Sequence, residues 1–185
     1  MEPVDCKPVP EAIAALKEAE IIVLGPGSLY TSVIPNLLVT EIAEAIRNST
    51  AIKVYVCNAM TEAGETDDYS ASRHIEAIVN HAGRGLVDIA VVNNEAIDAD
   101  ILERYAEEGA EPVAVDLEAI ARLGITPLAV RIITKTNYIR HDAAKLARII
   151  LEIYRAHRIE RAFGKSFTKR IYPFLKSLVG LFIAK

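Results

Sequence analysis

Four hydroxyl side chains follow a glycine turn in this sequence, and they suggest the first chemistry. Gly25-Pro26-Gly27 closes the apolar run Ile22-Val23-Leu24. Ser28, Tyr30, Thr31 and Ser32 come next, before a helical pattern begins at Pro35. A strand, a glycine turn and a helix start form a corner suited to anions, because backbone N–H groups and hydroxyls there can donate to phosphate or carboxylate oxygens. The glycines allow the backbone to approach a ligand closely. The motif is neither a Walker A loop, since no lysine follows the second glycine, nor GxGxxG. It reads as a phosphate or sugar-phosphate site, with a plain tight turn as the alternative.

Other reactive groups are scattered downstream. Asn58 follows a second apolar run, where an amide offers a donor and an acceptor to a base or a sugar. Glu62, Glu65, Asp67 and Asp68 crowd the next loop. Such carboxylates can hold a divalent cation or act as an acid and base; equally, they are solvated loop groups ahead of a helix start. His74 and His81 lie two turns apart on one helix, too far to share an ion, and read as surface or capping histidines. Arg140 precedes a helix start at Asp142 and suits a phosphate or a surface ion pair. Tyr105 can stack on a base or pack on the body of the protein. No GxSxG elbow and no local Cys/His pair is present, so nucleophilic hydrolysis has no support, and no catalytic residue is assigned.

These residues need elements to position them. The 185 residues are enough for one domain with a core. A net charge of -4 gives no argument for nucleic acid as a partner. Cys6 and Cys57 are far apart and outside any CxxC, so a reducing, cytoplasmic setting is expected, with Cys57 a buried small apolar group. No signal peptide and no membrane-length apolar run is visible. Residues 161–185 hold six basic groups and no acidic one. That basic, apolar tail can lie on an anionic membrane surface or cover an apolar patch.

Apolar runs alternate with amphipathic ones along the chain. Helices are expected over 10–19, 37–47 (Leu38, Ile42, Ala45 and Ile46 inward), 70–81, 98–109, 117–123 and from Asp142 onward, the last with Leu146, Ile149, Ile150, Ile153 and Tyr154 inward. Strands are expected over 21–24, 51–57, 87–92, 113–115 and 128–133. Strands apolar throughout and separated by helices predict a parallel sheet covered on both faces. Ligands bind such sheets beyond the carboxyl ends of the strands. The loops at Gly25, Asn58 and Asn93 therefore converge on one edge.

Taken together, Gly25-Pro-Gly-Ser-Leu-Tyr-Thr-Ser-Val-Ile-Pro-Asn-Leu-Leu-Val39, Lys53-Val-Tyr-Val-Cys-Asn-Ala-Met-Thr61, Gly64-Glu-Thr-Asp67 and Arg140-His-Asp142 resemble the gluconeogenesis-factor (YvcK-like) family in order and spacing. That family is related to 2-phospho-L-lactate transferase. The resemblance covers roughly residues 8–155. It implies an α/β, Rossmann-like three-layer αβα sandwich with a mostly parallel sheet, and a bound UDP-sugar, UDP-N-acetylglucosamine foremost. It implies a regulatory role in carbon metabolism, cell-wall precursor supply and cell shape, with no settled catalysis and no resident cofactor. The alternative it carries is a phospholactyl or phosphoenolpyruvyl transferase using Mg²⁺. Residue by residue, it marks Gly25, Gly27, Ser28, Tyr30, Thr31, Asn58, Tyr105 and Arg140 as ligand-side positions. The Gly-Gly-Gly-Thr-Gly turn and the Asp-Asp-Gly-Gly-Ser-Ser-Gly loop of the family are not in this sequence, and Thr40-Glu41 stands where Pro-Gly is usual. Residues 1–158 are thus expected to be the C-terminal part of the family domain, lacking its N-terminal strands, and 159–185 a separate basic tail. A sheet without its first strands is expected to associate with a partner chain or with itself.

Overall fold

The computed structural model describes residues 6–135 and 138–163. The element order is helix α1 (Pro10–Glu18), strand β1 (Ile21–Leu24), a π-helical turn (Leu29–Val33), α2 (Ile34–Leu37), α3 (Thr40–Asn48), β2 (Ile52–Val56), α4 (Ala71–Ala82), β3 (Ile89–Asn93), α5 (Ala99–Glu107), α6 (Leu117–Arg122), β4 (Thr126–Val130), β5 (Ile133–Lys135), β6 (Ile139–His141) and α7 (Ala143–Phe163). Strands β1 to β4 form one parallel sheet in sequence order. Its registers pair Val23 with Val54, Val54 with Ile89, and Val91 with Leu128. Strands β5 and β6 form a separate antiparallel pair, with Thr134 opposite Arg140. The basic tail expected over 159–185 lies almost wholly outside the described residues, and α7 runs on to Phe163. No described helix is long and apolar enough to cross a membrane.

Apart from Lys53, Asn93 and Thr126 the strands are apolar, because both faces of the sheet are covered, and the two covers are unequal. On one face Ile22, Leu24, Tyr55, Cys57, Ala90 and Val92 pack against Ile34, Leu37, Ala43, Ile46, Ile75, Ile78 and Ile120 from α2, α3, α4 and α6. On the other, Val54, Val56, Val91, Val130 and Ile132 meet Leu146, Ile149 and Ile153 of α7. Beyond that helix the cover thins: Val23 on the outermost strand is 38% exposed and Leu151 on α7 is 51% exposed.

Several expectations need correcting. The segment 37–47 is broken at Val39, and Leu38, expected inward, is 39% exposed. Residues 113–115 form no ladder; only isolated bridges join Met60 to Pro112 and Ser70 to Ala114. The run 128–133 is two strands: β4 ends at Val130, and the chain then turns into the β5–β6 hairpin. Ser70 caps α4, its hydroxyl accepting from Arg73 N, and Asp142 stands at the start of α7, where its carboxylate accepts from Lys145 N at 3.0 Å. Asp98 occupies the N-cap of α5 without a side-chain cap bond.

Candidate functional site

A parallel sheet brings the chain segments that follow each strand to one edge, and side chains tie those segments together here. The first follows β1. Gly25 has φ +77, and a Cβ there would lie 2.9 Å from the Val56 carbonyl oxygen, so only glycine lets this loop rest on the end of β2. Gly27 is less demanding: its Cβ would meet Ser32 Cβ at 3.3 Å. Ser28 caps the π-helical turn, accepting from Thr31 N at 3.4 Å and from Thr31 Oγ1 at 2.7 Å. Its own hydroxyl donates to Glu65 Oε2 at 2.5 Å. The corner thus holds an anion, and that anion is the protein's own carboxylate. Tyr30 Oη and Tyr69 Oη are 2.8 Å apart. That hydrogen bond, and then burial, push the Tyr30 phenol up to about 12, so it stays protonated at neutral pH.

The segment after β2 is tightly bonded within itself. Asn58 donates from Nδ2 to Glu62 Oε1 at 2.8 Å, and Asp67 accepts from Gly64 N at 2.9 Å. Cys57 is buried, and burial pushes its thiol up to about 12, which makes it an inert packing group as expected. Among the described residues, no group of three or more His, Cys, Asp and Glu side chains is arranged to hold a metal ion. His74, expected on the surface, is fully buried in α4. Its Nδ1 lies 2.9 Å from the Ser70 carbonyl oxygen, and its ring meets Tyr69 edge-on. Burial lowers its pKa. Asp116 binds the start of the same helix, accepting from Ser72 N at 2.9 Å and Ser72 Oγ at 2.5 Å. Burial pulls its carboxyl upward, but the bonds from Ser72 and Ser70 prevail and hold it below its ordinary value.

Arg140 precedes the start of α7, as expected. It lies on β6, exposed, two residues ahead of Asp142. Tyr105 does not offer its hydroxyl to the solvent edge: Ile139 N donates to Tyr105 Oη at 3.0 Å. Two residues passed over in the sequence join the site. His141 Nε2 lies 3.2 Å from the Cys57 carbonyl oxygen, and burial lowers its pKa, so the neutral ring donates there. Tyr138 is 54% exposed, and its ring meets that of Tyr105 edge-on at 6.4 Å. The signal for both was the alternation in Tyr138-Ile-Arg-His141, which reads as a strand rather than as an approach to a helix. An open depression of about 570 Å³ lies elsewhere, between α1 and α3 around Lys7, Lys17, Glu41 and Asn48. None of the segments that follow β1, β2 and β3 lines it.

Residues 1–133 match the family described as "2-phospho-L-lactate transferase CofD". The gluconeogenesis factor of Halalkalibacterium halodurans is 48% identical over 153 residues, which is 82% of this chain and 48% of that protein. The gluconeogenesis factor of Bacillus subtilis is 42% identical over 154 residues, 83% of this chain and 49% of that protein. A crystal structure of a UPF0052-family protein from Bacillus halodurans superposes with a TM-score of 0.79 at 48% identity, over 81% of this chain and 48% of that one. The chain therefore spans about half the length of the curated relatives it matches.

Proposed function

This chain belongs to the 2-phospho-L-lactate transferase CofD family, and on that premise we propose that it is a nucleotide-sugar-binding regulatory domain, with UDP-N-acetylglucosamine as the ligand. The observation that carries the reading is the exposed pair Tyr138, just before β6, and Arg140, within it. Tyr138 and Arg140 are two residues apart, so they share one side of an extended segment, and both are exposed. An aromatic ring beside a guanidinium suits a base and a diphosphate. Around the first loop the lip is different: Glu65 and Glu62 are acceptors, which suit sugar hydroxyls better than phosphate. The diphosphate accordingly belongs to Arg140 and the sugar to the Ser28–Asn58 side. A role in carbon metabolism is supported by the likeness to gluconeogenesis factors; the regulatory part in cell-wall precursor supply and cell shape is carried by the family resemblance of the motifs alone.

Calorimetry with UDP-N-acetylglucosamine, GDP and a deazaflavin tests this. Only the UDP-sugar is expected to bind, and Arg140→Ala is expected to weaken it about tenfold or more, the effect of losing a charged hydrogen bond. Binding of the deazaflavin, or formation of a phospholactyl or phosphoenolpyruvyl transfer product with Mg²⁺, would replace the regulatory reading with the transferase one.

The reading includes a partner on the open side of β1: a polypeptide equivalent to the other half of the relatives, or a second copy of this chain. Support comes from the terminal place of β1 in the described sheet and from the exposed Val23 on that strand. Light scattering of the chain alone is expected to give a mass above the monomer. A stable monomer that ignores an added N-terminal half would remove the partner.

A further inference from the structure

The β5–β6 hairpin has no place in the main sheet, so its orientation depends on what grips it from outside. Its base is held by the chain ends it continues. Ile132 N donates to Asn93 Oδ1 at 3.4 Å, and Asp142 N donates to the Ile132 carbonyl at 2.7 Å. Its outer strand is held by two side chains from distant elements. From α5, the Tyr105 hydroxyl accepts from Ile139 N at 3.0 Å and lies 3.5 Å from the Ile139 carbonyl oxygen. It meets both backbone polar groups of that residue, as a neighbouring strand would. Across the strand ends, His141 Nε2 donates to the Cys57 carbonyl oxygen, the residue before Asn58. Ile139 and His141 flank Arg140 within the strand, and Tyr138 is the residue just before it. The inward pair is gripped, and the outward pair is presented.

We infer that Tyr105 and His141 are positioning residues: they are two posts that fix the outer strand of the hairpin and thereby set Arg140 and Tyr138 for a ligand. Tyr105 then acts through its hydroxyl and not as a stacking platform. The solvent-facing ring is Tyr138, buttressed edge-on by Tyr105. His141 also fixes the separation between Arg140 and the Asn58 segment, because its bond ends on the last residue before Asn58.

The ligand arm of this inference rests on the nucleotide-sugar reading; the exchange arm does not. Amide hydrogen exchange of the unliganded chain should rise at residues 139–141 in Tyr105→Phe and in His141→Ala, by about fivefold or more, the loss of one hydrogen bond. With UDP-N-acetylglucosamine as the probe, Tyr105→Phe should lose affinity almost as fully as Tyr105→Ala. Adding Tyr105→Phe to Arg140→Ala should cost nothing further, which a merely structural loss would not produce. His141→Gln, which keeps an amide donor, should recover part of what His141→Ala loses. Unchanged exchange at 139–141 in Tyr105→Phe would overturn the inference whether or not the sugar binds. Full affinity in Tyr105→Phe with loss in Tyr105→Ala would restore the stacking role. Failure of the native chain to bind the probe, with exchange responding as expected, would sink the ligand reading and leave the posts standing.

Discussion

Gly25→Ala is expected to destabilise the chain by about 3 kcal/mol in urea unfolding, a large share of the roughly 5–15 kcal/mol that holds a domain together. Two costs combine. The residue sits at φ +77, where an L side chain is strained by about 1–2 kcal/mol. The new Cβ would also stand 2.9 Å from the Val56 carbonyl oxygen, a backbone atom inside a buried strand that has little freedom to retreat. Gly25→Asn should be no milder, although asparagine tolerates positive φ, because the same Cβ meets the same oxygen. Gly27→Ala is the control, at about 1 kcal/mol or less, since its only close neighbour is the Ser32 side chain. Equal losses at both glycines would mean that the loop does not rest on β2 as described.

Ile149→Asp should prevent cooperative folding altogether at 25 °C. Ile149 is 8% exposed and packs with Val54, Val56 and Val91 beneath α7. Removing it forfeits about 2–5 kcal/mol of packing. Placing a carboxylate among these apolar side chains adds a desolvation cost of several kcal/mol. The other face of the sheet would have several helices to share such a loss; this one has α7 alone among the described residues. Arg148→Asp, one residue away and exposed, should move stability by only about 0.5 kcal/mol. Circular dichroism and near-ultraviolet spectra of the two variants are the comparison. A sharp thermal transition in Ile149→Asp would show that α7 is dispensable to the sheet.

These positions mark how far the sequence could be read. The sheet was legible because buried parallel strands are apolar at nearly every position, a signal that needs no knowledge of partners. The convergence of the loops followed from that topology, and Gly25 stood out because a turn so close to a strand has few alternatives to glycine. The site's internal bonding was not legible. Ser28 and Glu65 are 37 residues apart, and nothing in either segment says that the hydroxyl will donate to that carboxylate. The hairpin is not legible because the apolar residues of 128–133 are interrupted by Arg131 alone, too short a break to mark the change of direction after Val130. Arg140 and Tyr105 were chosen through a resemblance. The structure separates their parts: the first is exposed, while the second has its hydroxyl on the hairpin backbone.

The register of the main sheet has a kinetic consequence. Ile21 pairs with Ile52, Val54 with Ile89, and Ile89 with Thr126, so every rung of the four-stranded ladder joins segments with a helix between them. The one hairpin among the described residues, β5–β6, stands outside that sheet and cannot nucleate it. The nascent chain must therefore close long loops before any strand gains a neighbour. Folding belongs in the slow, high-contact-order regime, with relaxation on the order of milliseconds to seconds rather than microseconds. During that interval β1 waits with both edges bare, and a second polypeptide reaching it then would meet less competition than at any later time.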